Sequence, residues 1–318
     1  MAAMLDSDST LEMQKIANEL FGIIPGIEHA SSVPVVQAER LTKKEFMHNN
    51  VAMNHPCLIK GAVKDWPASI KWRNKNYWIA TCRNEPKRII RHMNYFSWKR
   101  KAEGSEEVLF HDAMESLFAG KEHIFSIPGQ VVTDESLFSG ILKDVPGFHF
   151  LKREHPPLWD NPRVLYLYRR ASTAWHVHYC DETLMCQVKG AKKVALLPAH
   201  IPCSKVVTSF LENELYLEGK ALDKTLHLNP MVVVVEEGDA LYIPPHWFHC
   251  VVPTDGEPGF TFIRGFRSPW HIYGNLSNYF VRRLYKRVMK NAPAAIKLAL
   301  PFLCLYSMFC YYTRKLTG

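Results

Sequence analysis

Gly238-Asp239-Ala240-Leu241-Tyr242-Ile243-Pro244-Pro245-His246-Trp247-Phe248-His249 is the stretch on which the fold turns. Its Gly-Asp pair makes a tight turn and the apolar run after it reads as a buried strand. Two prolines then stiffen the entry to an aromatic pair and His249. Far upstream, residues 173–181 (TAWHVHYCD) carry His176 and His178, two positions apart. In a strand such residues project from one face, so the pair can chelate a single ion. A lone histidine in a strand is more often a core residue than a ligand. Taken with His249, the pair makes a three-imidazole candidate site.

The surrounding texture supports a β-shell. Short strand-forming runs recur at 164–168, 184–188, 193–197, 231–236, 240–244 and 260–266. Turn signals at Lys189-Gly190, Glu237-Gly238-Asp239 and Asp255-Gly256 separate most of them. This pattern predicts an antiparallel barrel or sandwich. Upstream, Leu11, Met13, Ile16, Ala17 and Leu20 predict a helix over 9–20. A short helix is expected at 41–47, a strand at 56–61 before Trp66-Pro67, and another helix at 111–118. An insert at 198–230 is expected to hold a helix around 211–217. We divide the chain into an N-terminal helical extension (1–50), a β-domain (51–270) and a C-terminal segment (271–318).

A chain of 318 residues suits one large domain with appendages, and 47% hydrophobic with 12% aromatic residues excludes a disordered chain. The formal charge of +8 is unevenly distributed: Phe260 to the end holds ten Lys/Arg and no acid, leaving 29 basic against 31 acidic residues before it. This argues against a DNA groove over the main domain. A basic C-terminal arm fits an acidic partner or an anionic lipid surface, or is a solvated basic face. The eight cysteines form no CxxC pair, and Asp6, Asp8 and Glu12 interrupt any secretory signal. Reduced thiols in a cytosolic setting are expected.

Residues 278–290 form a basic amphipathic helix pattern, and 292–312 are nearly all apolar, closed by Thr313-Arg314-Lys315. That length can span a bilayer. It predicts a tail anchor on the cytoplasmic side of an intracellular membrane. The alternative is a helix buried in a homodimer, which leaves a soluble cytoplasmic protein.

The runs PCLIKGAVKDWPASIKW (56–72), Thr173-Ala174-Trp175-His176-Val177-His178, Gln187-Val188-Lys189-Gly190-Ala191-Lys192 and GDALYIPPHWFH (238–249) resemble the JmjC-type, cupin-like 2-oxoglutarate oxygenases. The likeness is to their small hydroxylase group and covers roughly 56–266. It implies a mainly-β fold, a double-stranded β-helix (jelly roll) with N- and C-terminal helical extensions. It also implies Fe(II), 2-oxoglutarate as co-substrate, and a protein or RNA side group as substrate.

In that family a His-x-Asp pair and a distal histidine hold the metal. By resemblance His176 is the first ligand and His249 the distal one, while His178 stands where the family has its carboxylate. Thr173 matches a threonine that hydrogen-bonds the co-substrate, and Lys192 a lysine that pairs with its far carboxylate. Arg264, within FTFIRGF, stands where relatives place an asparagine and is expected to contact co-substrate or substrate. Tyr166 and Tyr168 share a face that offers a ring to the pocket or to the core. Trp175, Trp247 and Phe248 are either walls of the site or packing. Three readings follow for the site. It is a three-histidine iron site, a register in which Asp181 swings in as carboxylate, or a degenerate site that binds another metal or none, in a membrane-tethered binding or scaffold protein.

Overall fold

The computed structural model describes residues 2–91, 95–96, 104–120, 124–151, 155–158, 161–198 and 200–317. The early strands are β1 (Ser31–Ser32), β2 (Val35–Gln37), β3 (Cys57–Lys60), β4 (Pro86–Arg91), β5 (Tyr95–Phe96), β6 (Ser105–Leu109) and β7 (Phe125–Val131). The eight that build the shell are β8 (Arg163–Arg169), β9 (Ser172–Val177), β10 (Asp181–Lys189), β11 (Lys192–Leu197), β12 (Met231–Val235), β13 (Ala240–Ile243), β14 (Phe248–Pro253) and β15 (Pro258–Arg267). Helices are α1 (Ala2–Phe21), α2 (Lys43–Glu45), α3 (Pro67–Lys71), α4 (Lys75–Thr81), α5 (Phe110–Ala119), α6 (Ser204–Glu212), α7 (Tyr279–Asn291) and α8 (Ala294–Thr317).

Two sheets face one another. The larger runs β2-β3-β13-β10-β15-β8-β7-β4-β6 and the smaller β1-β12-β11-β14-β9-β5. Shell strands thus divide between the sheets, with β8, β10, β13 and β15 in one and β9, β11, β12 and β14 in the other. Their mutual pairings are antiparallel. This is the expected jelly roll.

Alternation along each strand makes three apolar layers. Between the sheets lie Met185, Leu241, Ile243, Val194, Leu196, Val235, Trp247 and Val251. The outer face of the larger sheet is covered by Trp72, Trp78, Phe110, Met114 and Leu117, packed on Cys186, Val188, Phe260 and Phe262. The outer face of the smaller sheet receives Met13, Ile16, Leu20, Val207, Phe210 and Phe280, packed on Trp175, Phe248, Cys250 and Val252. Each buried aromatic or aliphatic side chain contributes roughly 1.5–3 kcal/mol, so a shell covered on both outer faces is a stiff platform for the inner one.

Several element boundaries differ from the expected ones. The predicted 41–47 helix is a three-residue α2 capped by Thr42, whose hydroxyl accepts from the Glu45 amide, and it continues as a wide π turn from Phe46 to Val51. The insert helix lies earlier than expected, at Ser204–Glu212, and only a 3-10 turn occupies Leu215–Glu218. Val207, Phe210 and Leu211 pull it onto the smaller sheet, a tertiary contact that local spacing does not reveal. Strands β1 and β2 join the two sheets by parallel pairing to β12 and β3, so the N-terminal extension is woven into the shell. All eight cysteines are free thiols.

Among the described residues one helix, over Ala294–Thr313, is long and apolar enough to cross a membrane by length and composition. Its inner face is docked: Leu300 and Ser307 are buried, and Tyr306 packs edge-on to Trp270. Its outer face shows Leu298, Phe302, Leu305, Phe309 and Tyr312, all more than half exposed. The side chains of the closing Arg314 and Lys315 lie outside the described ones. Gly274 sets the docking distance, because a Cβ there would stand 2.0 Å from the carbonyl oxygen of Ser307. Neither backbone can yield to such an overlap. Gly274→Ala is therefore expected to lift α8 off the domain, and faster amide exchange across 294–313 with an unchanged β-shell would register it.

Candidate metal centre

β9 and β14 are neighbours, with His176 directly opposite His249. Trp175, Phe248 and Cys250 fill the outer layer, so the alternate residues His176 and His249 point between the sheets. His178 follows two residues on, where the chain leaves β9. Ring centroids of His176 and His249 are 4.0 Å apart, those of His178 and His249 4.9 Å, and those of His176 and His178 5.5 Å. One nitrogen from each ring lies within 4.8 Å of the others.

Each ring is held from behind. Nδ1 of His176 donates to the Ala174 carbonyl (2.9 Å) and Nδ1 of His249 to the Trp247 carbonyl (3.1 Å). Nδ1 of His178 meets the Thr183 hydroxyl at 2.7 Å. A proton on Nδ1 leaves the Nε2 lone pair for a metal. Burial lowers the pKa of all three. It brings His178 to about 3, helped by neighbouring His176, and holds His249 well below the usual range, helped by His176 and His178. The rings are thus neutral at pH 7, the form that metal binding requires. Three neutral imidazole donors fit a divalent transition metal.

The Asp181 register is not what the structure holds. Asp181 begins β10 opposite Arg267, is buried, and accepts the Leu158 amide through Oδ1 (2.8 Å). Among the described residues the three histidines form the cluster with metal-ligand spacing, and no carboxylate joins it. The reason is register: β10 pairs with β15 from its first residue, which fixes Asp181 in the larger sheet.

Other expected residues divide between the two faces. Lys192 is buried on β11, and its ammonium lies 3.9 Å from the centre of the Tyr168 ring. Burial alone lowers its pKa to about 7. Lys192 shares the inner face with Val194 and Leu196, and Leu196 stands opposite His249. Lysine and histidines therefore sit along one inner surface, their backbones about 13 Å apart at the rise of an extended strand. Thr173 pairs with inward-facing Val251 and so belongs to the same face. Tyr166 pairs with Thr261. Tyr168 is the deeper of the two tyrosines: its hydroxyl accepts from Gln187 Nε2 (2.8 Å), and Gln187 Oε1 accepts from Thr261 (2.9 Å).

Arg264 is not brought to the histidines. It follows outward-facing Phe262 by two residues and lies with Phe262, Trp66 and Phe148 in a cavity on the far side of the larger sheet. The expected contact with a co-substrate at the histidines is therefore not supported, because a lone arginine in an apolar strand does not reveal which face it takes. Trp175 and Phe248 likewise pack outward rather than walling the metal, and Trp175 donates to the Leu20 carbonyl. Trp247 alone of the three lies in the inner layer.

Two contributors escaped the sequence reading. Thr183 orients His178, although five residues separate them. His246 has a left-handed backbone (φ 72°), which is uncommon outside glycine. Its amide donates to the His178 carbonyl (2.8 Å), its Nε2 contacts the Tyr179 carbonyl (2.9 Å), and its ring stacks on Phe280. It latches the chain around His178. The first histidine of PPHWFH was the available signal, but an aromatic-rich run hides it.

A family model described as "Cupin-like domain" matches residues 43–272, well over half of the chain. Jumonji C domain-containing protein 5 of Drosophila melanogaster is 26% identical over 274 residues, 78% of this chain and 63% of that protein. Lysine-specific demethylase JMJ30 of Arabidopsis thaliana is 25% identical over 239 residues, 66% of this chain and 50% of the relative. tRNA wybutosine-synthesizing protein 4 of Aspergillus fumigatus is 21% identical over 296 residues, 79% of this chain and 27% of the relative. The chain thus spans less than two thirds of the length of each of these relatives. With two sheets closing on one inner surface and a family match across both, this chain belongs to the cupin-like (JmjC) domain family.

Proposed function

We propose that the chain is an Fe(II)- and 2-oxoglutarate-dependent oxygenase, a hydroxylase acting on a protein or RNA side group. The observation that carries the reading is three neutral imidazoles sharing an inner surface with a buried lysine, Lys192, for which no described carboxylate lies within ion-pair reach. His176, His178 and His249 would hold the iron, which supplies the chemistry toward dioxygen when bound. The chain's own contribution is positional. Nδ1 contacts fix the rings, Lys192 receives the far carboxylate of the co-substrate, and Thr173 lies on the same face for a further hydrogen bond. Trp247, Met185 and Val251 keep the surface dry. The printed names of the relatives, a lysine-specific demethylase and a tRNA-modifying protein, support protein or RNA as substrate class. Equimolar iron in the purified full chain, with succinate released from 2-oxoglutarate, is the expected result.

A second reading rests on the donor set itself. Three imidazoles without a carboxylate also suit zinc. In that case the chain is a binding or scaffold protein, and the same measurement returns zinc or no metal and no succinate.

Location belongs to the proposal as well. The outer stripe of α8 and the exposed Arg282, Lys286, Arg287 and Lys290 of acid-free α7 fit a bilayer with anionic headgroups on the cytoplasmic side of an intracellular membrane. The full chain is expected in the membrane fraction, and Phe302→Ser with Phe309→Ser should release it. A soluble homodimer by light scattering would instead assign the stripe to a second copy.

A further inference from the structure

The cavity that received Arg264 holds a second feature. Arg264 on β15 stands directly opposite Arg163 on β8, so two guanidinium side chains occupy neighbouring positions on one face. Both line a cavity of about 250 Å³, with Trp66, Phe148 and Phe262 as aromatic walls and the 145–147 loop at its rim. Like charges directly opposite across strands are destabilising. Arg163 also has a buried Nε without a hydrogen-bond partner. A buried donor left unmade is costly.

No described carboxylate relieves the pair. Asp144, near the cavity-lining Leu142 and Val145, is already held by Lys71 at 2.8 Å and by Trp72 and Tyr77. Among the described residues the arrangement therefore sets two guanidinium groups side by side without a carboxylate and leaves the Nε of Arg163 without a partner. A phosphate group carries a charge of about −1.5 to −2 at pH 7 and several acceptor oxygens. Guanidinium forks match such an oxyanion in both charge and geometry.

We infer that the Arg163–Arg264 cavity is a binding site for a phosphate group, separate from the metal centre and on the opposite face of the larger sheet. The site does not depend on the oxygenase reading, because the two residues contribute nothing to the histidine cluster.

The test is inorganic phosphate added to the full chain in metal-free buffer, followed by calorimetric titration and thermal melting. Sodium chloride at equal ionic strength and succinate serve as separate arms. Phosphate should bind one per chain and raise Tm by about 2–4 °C near tenfold saturation. Arg163→Gln and Arg264→Gln should each abolish that rise. In chloride alone Arg264→Gln should melt no lower than the parent, since it removes repulsion. Arg264→Lys, which keeps charge but loses the fork, should bind about tenfold more weakly. An equal rise in chloride, an undiminished rise in both glutamine variants, or binding of succinate but not phosphate would each overturn the inference.

Discussion

His249→Ala is expected to abolish succinate release and to lower metal affinity by more than about 100-fold, since loss even of a group that merely orients a ligand costs about 10–100-fold. The residue stands at the centre of the cluster, 4.0 Å from the ring of His176 and 4.9 Å from that of His178. Two imidazoles would remain, too few to close a three-donor site. The apo fold should survive, because the substitution removes one hydrogen bond to the Trp247 carbonyl, a net contribution of about 1 kcal/mol, together with ring contacts to two other imidazoles, and leaves the three apolar layers in place. Added metal should stabilise the parent and leave the variant unmoved in a melting experiment. A variant that keeps iron and turnover would remove His249 from the site.

Lys192→Met tests the other end of the same surface. Methionine keeps the apolar stem and removes a buried ammonium, so the fold should be at least as stable. 2-Oxoglutarate affinity should fall by about 100-fold or more, as expected when one partner of a buried charge pair is truncated. The parent should show a matching pH dependence. Burial lowers the free lysine to about pKa 7, and pairing with a carboxylate restores the charged form. Binding therefore takes up a proton above pH 7, and affinity should drop roughly 50-fold between pH 7 and pH 9.

The contribution of Lys192 to folding runs in the opposite sense. Its folded pKa lies below the unfolded value, so the unfolded chain binds more protons between about pH 7 and 10.5. Its stabilising contribution is complete above the unfolded pKa and is lost as pH falls toward 7. Isothermal titration and melting curves across that window read the two trends separately. Unchanged 2-oxoglutarate binding in Lys192→Met would reject the co-substrate role of this lysine.

The jelly roll was legible because strand alternation and turn chemistry are local properties: Gly190, Gly238 and the Asp255-Gly256 turn punctuate runs whose period fits a half-buried strand. The two-residue spacing of His176 and His178 likewise states a shared side without any tertiary knowledge. Arg264 shows the limit. Alternation says that it lies opposite to Ile263 but not which of them faces the core, and only pairing with β8 and β10 assigns it to the outer cavity.

What the amino-acid order determined by itself was the alternation, the turns and the histidine-bearing segments. Tertiary structure alone decided that His249 meets His176 across β9 and β14, that Asp181 is tied to Leu158, and that Lys192 lies buried against Tyr168. The reason is physical. Periodicity fixes where a side chain points relative to its neighbours in the chain, whereas the depth, charge and company of that side chain depend on which distant strand is paired beside it.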